Sequence, residues 1–149
     1  MNPSFLWWLS CQAYKHRIPI LPKILKTFNF FFFHAVLPYQ AEIEKDIELQ
    51  HYGLGIVIHP NVKIGHRVKI YHGVTLAAET WIGSPYKIYI GDDVLVGAGA
   101  AVIGRGNQDL RIGDRAVIGA NAVVTNDIDD GETVVGVPAK SICRKSKKT

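Results

Sequence analysis

Large aliphatic residues recur at Ile58, Ile64, Ile70, Leu76, Ile82 and Ile88, an unbroken step of six. An amphipathic helix brings its apolar face round every three to four residues and a half-buried strand every two, so a step of six fits neither. It is the period of a coil with three short flat sides. A second series follows after a slip of two residues, at Ile90, Val96 and Val102, and a third after four more, at Ile112, Ile118 and Val124. Four residues past these aliphatics stands a small or β-branched side chain, as at Val62, Val68, Val74, Thr80, Val94, Ala100, Ala116 and Ala122, with Tyr86 the exception. The pattern predicts an all-β fold: a parallel β-helix of hexapeptide repeats in which each coil pairs with the next along the axis.

The pattern begins near residue 41. Before it, Phe5 to Leu9 and Phe30 to Phe33 form apolar stretches interrupted by Lys15, Arg17, Lys23 and Lys26, and Pro19, Pro22 and Pro38 break the segment into short helical pieces. The expected organisation is a short helical N-terminal segment (1–40), a hexapeptide-repeat β-helix (41–131) and a C-terminal extension (132–149). No clean run reaches the roughly 18 apolar residues of a spanning helix, and no basic stretch precedes Phe5 as in a signal peptide. A cytoplasmic protein is expected. Two roles are open for the lead-in: it covers the end of the coil, where strand edges would otherwise be exposed, or it lays an aromatic and basic face on a membrane surface.

Composition narrows the function classes. A net charge of +4, with Lys and Arg dispersed outside the tail Arg144, Lys145, Lys147 and Lys148, lacks the dense stripe of a nucleic-acid binder. Cys11 and Cys143 lie at opposite ends without metal-type spacing, which predicts free thiols in a reducing compartment. No metal-ligand cluster and no phosphate-cradling loop is present in the pattern.

Following the register, the three sides are expected to stack as Leu49, Ile70, Ile90, Ile112; as Ile58, Leu76, Val96, Ile118; and as Ile64, Ile82, Val102, Val124. Two residues past the first column this places His51, His72, Asp92 and Asp114 in a line, about 4.8 Å apart. Neighbouring imidazoles near a carboxylate suit proton transfer near neutral pH. The aspartates are expected to be structural, and His16, His34, His59 and His66 fall elsewhere. Past the second column stand Ala77, Ala78, Gly97, Ala98, Gly119 and Ala120, a strip of tiny side chains against which a thin extended ligand can lie.

The repeat, together with GIVIHPNVKIG, YHGVTL, IGAN-AVV and the closing VVGVPAK, resembles the hexapeptide-repeat acyltransferases. The resemblance covers roughly residues 41–142. It points to the serine acetyltransferases and the related capsule or exopolysaccharide O-acetyltransferases. It implies a left-handed coil, a homotrimer with active sites between subunits, and acetyl-CoA as acyl donor. By the same resemblance His51, ahead of a Gly-Ile-Val-Ile stretch, is the general base and His72 a second site residue. The small-residue strip would hold the pantetheine arm, with Lys140, Arg144 and Lys145 toward the phosphates. Some positions depart from the serine enzymes. Gln50 stands where an Asp precedes the catalytic His, Val36 falls near the place of a further Asp, and Ser84 to Lys87 replaces an Arg-His-Pro-Lys stretch. These losses favour a sugar or polysaccharide-precursor hydroxyl as acceptor. Serine O-acetylation and a non-catalytic scaffold or binding role are the alternatives.

Overall fold

A computed structural model of the chain describes residues 2–142. Two helices, α1 (Pro3–Lys15) and α2 (Leu21–Phe33), lead into a parallel β-helix. The Asn2 side chain accepts from the Ser4 N–H at 2.9 Å, and Pro3 at the first helical position brings no N–H to satisfy, which together start α1. Pro22 occupies the first turn of α2, and His34 ends that helix in the left-handed region.

The coil has three faces of stacked strands, wound left-handed against the usual preference for right-handed crossovers. The first face carries Glu42–Ile43, Val62–Ile64, Ile88–Ile90 and Leu110–Ile112. The second carries Glu48–Leu49, Lys69–Ile70, Leu95–Val96, Val117–Ile118 and Thr133–Val135. The third carries Val57–Ile58, Thr75–Ala78, Ala101–Gly104 and Val123–Val124. The inward aliphatics of each face lie directly above one another: Ile43, Ile64, Ile90, Ile112; Leu49, Ile70, Val96, Ile118, Val134; and Ile58, Leu76, Val102, Val124. All are buried and form one continuous core.

This register corrects the expected columns. The Leu49–Ile70 pairing is as expected, but Ile70 stacks under Val96 and not under Ile90. The chain leaves the coil after Ala78 and returns at Ile88, so the step from Leu76 to Ile90 is fourteen residues and not six. Ile82, which continues the step of six in the sequence, sits on this loop and is 60% exposed. The excursion is pinned by Asn61, which is buried. Its Nδ2 donates to the Trp81 carbonyl and to Ser84 Oγ, both at 2.9 Å, and its Oδ1 accepts from the Gly83 N–H at 2.8 Å. A second loop lengthens the step from Val102 to Ile112, where the sequence slips by four residues.

Aspartates beyond the first face tie successive coils together. The backbone N–H of His66 donates to Asp92 Oδ1 at 2.8 Å, that of Asp92 to Asp114 Oδ1 at 2.8 Å, and that of Asp114 to Asp130 Oδ1 at 2.9 Å. Asp92 and Asp114 therefore align with His66, not with His51 and His72. A Cβ at Gly65 would lie 2.3 Å from Asp92 Oδ1, and one at Gly91 would lie 2.3 Å from Asp114 Oδ1, so the ladder itself demands glycine at both corners.

α1 closes one end of the coil. Trp7 is fully buried and its Nε1 donates to the Pro38 carbonyl at 2.8 Å. Ser4 Oγ accepts from the Leu49 N–H at 2.9 Å, partnering a strand-edge donor. Parallel pairing already starts at Val36, opposite Val57. Cys11 is a buried free thiol whose pKa burial pushes up to about 12; Cys143 lies outside the described residues. At the other end Lys140–Ser141 runs antiparallel along Thr133–Val135.

Candidate functional site

The corner that follows the second face brings His51 and His72 together. The strand pairing of Leu49 with Ile70 puts the two histidines at equal offsets on adjacent coils. A local excursion then turns His51 toward its neighbour. The Gln50–Gly53 turn holds His51 (φ 51°) and Tyr52 (φ 58°) in the left-handed region, followed by Gly53 (φ 70°). Each non-glycine residue there costs on the order of 1–3 kcal/mol, and strain of this kind is retained where the surroundings dictate the geometry. The result is an Nδ1 to Nδ1 contact of 2.8 Å between the two rings.

Which ring donates in that contact depends on the tautomers of the pair. A hydrogen bond between two Nδ1 atoms needs one donor and one acceptor, so one ring carries hydrogen on Nδ1 and the other carries it on Nε2 alone. With Nδ1–H on His51, its Nε2 is an unprotonated base. Both histidines are exposed, and the Tyr71 ring stands edge-on to His51 at 5.9 Å. Tyr52 stacks on Phe33 of α2 at 6.3 Å, which ties the turn to the helical segment. Among the described residues no carboxylate touches either ring. The Glu48 carboxylate accepts instead from Gln50 Nε2 at 3.0 Å and faces Lys69 at 3.9 Å. Sequence reasoning missed Tyr71 and Tyr52; Tyr71 was legible as the residue between the second-face aliphatic Ile70 and His72.

The small-residue strip divides. Gly97 and Ala98, then Gly119 and Ala120, continue the same corner: the Gly99 N–H donates to the His72 carbonyl at 3.0 Å and the Asn121 N–H to the Ala98 carbonyl at 2.9 Å. The histidine pair thus stands at the foot of a smooth track on one corner, and not one face away from it as the expected columns implied. Ala77 and Ala78 are on the third face, opposite Ile103 and Gly104, and are not part of that track. Gly97 has a structural reason as well, since a Cβ there would lie 2.6 Å from the Ala120 nitrogen. Lys140 is exposed on the end strand, and Arg144 and Lys145 lie outside the described residues.

The remaining histidines belong elsewhere. His59 Nδ1 accepts from the Asn61 N–H at 3.1 Å. His66 bonds Asp46 at 3.1 Å, and that carboxylate raises its pKa. Ser84 is buried and bonded to Asn61. A surface hollow lined by Tyr89, Arg111, Asp114 and Asp127 is on the aspartate corner and contains none of these histidines.

No protein-family model matches the chain. A serine acetyltransferase of Helicobacter pylori is 36% identical over 136 residues, which span 91% of this chain and 77% of that protein. The crystal structure of Neisseria gonorrhoeae serine acetyltransferase superposes with a TM-score of 0.82 at 31% identity, over 93% of this chain and 51% of that one. A serine acetyltransferase in complex with CoA superposes with a TM-score of 0.78 at 27% identity, over 92% of this chain and 54% of that one. The chain spans about half the length of these solved structures. These likenesses lend no support to the capsule or exopolysaccharide branch.

Proposed function

Because the chain belongs to the serine acetyltransferase family, we propose that it transfers acetyl from acetyl-CoA to a hydroxyl group, with His51 as general base. The observation that carries this reading is the His51–His72 contact at the foot of the Gly97, Ala98, Gly119, Ala120 track. His51 Nε2 takes the hydroxyl proton while its Nδ1–H donates to His72 Nδ1. His72 is thereby a positioning residue that fixes the tautomer, the part a carboxylate plays in a Ser-His-Asp triad. The alkoxide attacks the thioester carbonyl to form the new C–O bond. Collapse of the tetrahedral adduct breaks the C–S bond, and the departing thiolate recovers the proton from the His51 imidazolium. General-base assistance of this kind supplies roughly 10²- to 10⁴-fold in rate. The bare track suits a thin acyl-carrying arm, and we assign Lys140 and Arg144 to the CoA phosphates. Both histidines face outward on an open corner, which fits a site completed by a neighbouring subunit of a trimer.

L-serine is the first acceptor reading, resting on the relatives. A saccharide hydroxyl is the second, favoured by Gln50 bonding away from His51 and by the burial of Ser84, which leave no acidic or basic partners at those positions. CoA release from acetyl-CoA, followed by thiol titration with L-serine and with a panel of sugars, separates them. L-serine is expected to drive release that His51→Ala abolishes. Turnover with a sugar alone would move the assignment to the second reading. No release with any acceptor, and no thermal shift with acetyl-CoA, would leave only a scaffold or binding role.

A further inference from the structure

We propose that the outward face of α2 docks on a membrane surface bearing anionic headgroups. The helix is inside out for one bathed in water. Its buried positions are Pro22 and Asn29, and neither amide atom of Asn29 finds a hydrogen-bond partner among the described residues. Its exposed positions are Lys23 and Thr27 and the apolar Ile24, Phe30, Phe31 and Phe32, with Phe31 70% and Phe32 65% accessible. Ile18 and Ile20, just before the helix, extend the same apolar surface, and Ile20 is 68% exposed. Ile20 is held at φ 72°, where a β-branched residue is a genuine outlier. A contiguous apolar patch of this kind marks an interaction surface.

Charge names the partner. Residues 1–41 contain Lys15, Arg17, Lys23 and Lys26 and not one Asp or Glu, while residues 42–149 hold thirteen charges of each sign. The chain's net +4 therefore lies entirely in the helical segment. Lys23 is exposed and shares a surface hollow with Ile24, Phe31 and Phe32, while Lys26 is half-buried with its Nζ 5.9 Å from the Tyr39 ring at the border of the patch. Cations beside outward rings are the arrangement of an interfacial helix whose charges meet headgroup phosphates while its rings enter the acyl boundary. A second copy packed face to face would instead set these lysines against each other with no acid in the segment to pair them. At thirteen residues α2 is about 20 Å long and lies in the interface; among the described residues no helix is long and apolar enough to cross a membrane. The Phe33–Tyr52 stacking sets the His51 turn at the end of this helix.

The test is co-sedimentation of the full chain with vesicles of phosphatidylcholine alone or of phosphatidylcholine with phosphatidylglycerol, with sedimentation velocity of the same samples. Binding is expected to the anionic vesicles and to weaken with salt. Each lysine near the surface contributes about five-fold, so Lys23→Gln with Lys26→Gln lowers partitioning about twenty-five-fold. Phe31→Ser with Phe32→Ser lowers it at least ten-fold, both pairs keeping the wild-type melting profile. Equal binding to both vesicle types, or binding that survives the Phe substitutions, would overturn the proposal. So would a wild type that ignores vesicles but dissociates on Phe31→Ser with Phe32→Ser, since a second copy would then cover the face. None of these readouts uses acetyl transfer, so the result stands apart from the assignment above.

Discussion

Replacing Asp114 by alanine removes the middle rung of the carboxylate ladder. Asp114 Oδ1 accepts the Asp92 N–H at 2.8 Å, while its own N–H donates to Asp130 at 2.9 Å and is kept by the substitution. A hydrogen bond to a charged group is worth about 1.5–3 kcal/mol, and the half-exposed corner lets water replace part of it, so the lower end, about 1.5 kcal/mol, applies. For a chain of this size that lowers Tm by roughly 3–6 °C. Asp114→Asn retains an acceptor oxygen and should lose less. The assay is a thermal melt of the three proteins beside their acetyl-transfer rates. The ladder runs through His66 and not through the His51–His72 corner, so kcat should stay within about two-fold of wild type, since a remote substitution touches no reacting group. An unchanged Tm with a collapsed rate would refute the register and restore the aspartates to the histidine line.

Three further outcomes follow from contacts elsewhere. Gly65→Ala forces a Cβ to within 2.3 Å of Asp92 Oδ1 and 3.0 Å of the Gly91 carbonyl carbon, and should cost about 1–3 kcal/mol by denaturant melts, part of it recovered when Asp92→Ala is added; additive losses would argue against the clash. In a Cys143→Ser chain, Cys11, its pKa pushed up to about 12 by burial, should ignore a thiol-titrating disulfide until the protein is unfolded; rapid native labelling would show the α1 packing to be wrong. Asp46 raises the His66 pKa; on Asp46 itself desolvation is the largest single effect and pushes upward, but the His66 hydrogen bond, the backbone hydrogen bonds and the imidazolium charge together outweigh it and lower its pKa. The contact's stabilisation is thus full between about pH 4 and 6.5, lost above as His66 deprotonates through its raised pKa and below as Asp46 protonates. His66→Gln should lower Tm within that window and flatten the Tm–pH curve at its two edges, and an unchanged curve would count against the pair.

The step of six was legible because one aliphatic per side must point inward on every coil, and Leu49 over Ile70 followed from it. The error entered at Ile82, whose spacing from Leu76 matches the repeat although the chain has already left the coil. Tyr86 carried the warning, since a ring does not fit the position that takes Val62 and Val68. The anchor of that loop, Asn61, was not legible, because its partners Trp81, Gly83 and Ser84 lie twenty or more residues away and an asparagine has no periodic signature. The same shift moved Asp92 and Asp114 to the wrong corner and joined Ala77 and Ala78 to a track they are not part of. The apolar lead-in was visible as composition, but only packing separates α1, which seals the coil, from α2, which turns its rings outward.

Steady-state kinetics of His51→Ala, His72→Ala and His72→Asn, measured together with acetyl-CoA and the accepted hydroxyl substrate, test the paired-imidazole base most directly. His51→Ala should lose roughly 10²- to 10⁴-fold in kcat with the KM for acetyl-CoA little changed. His72→Ala should lose less, and His72→Asn should recover part of that loss, because its side-chain oxygen can accept from His51 Nδ1, the atom that lies 2.8 Å from His72 Nδ1. An inactive His72→Ala beside an active His51→Ala would contradict the account.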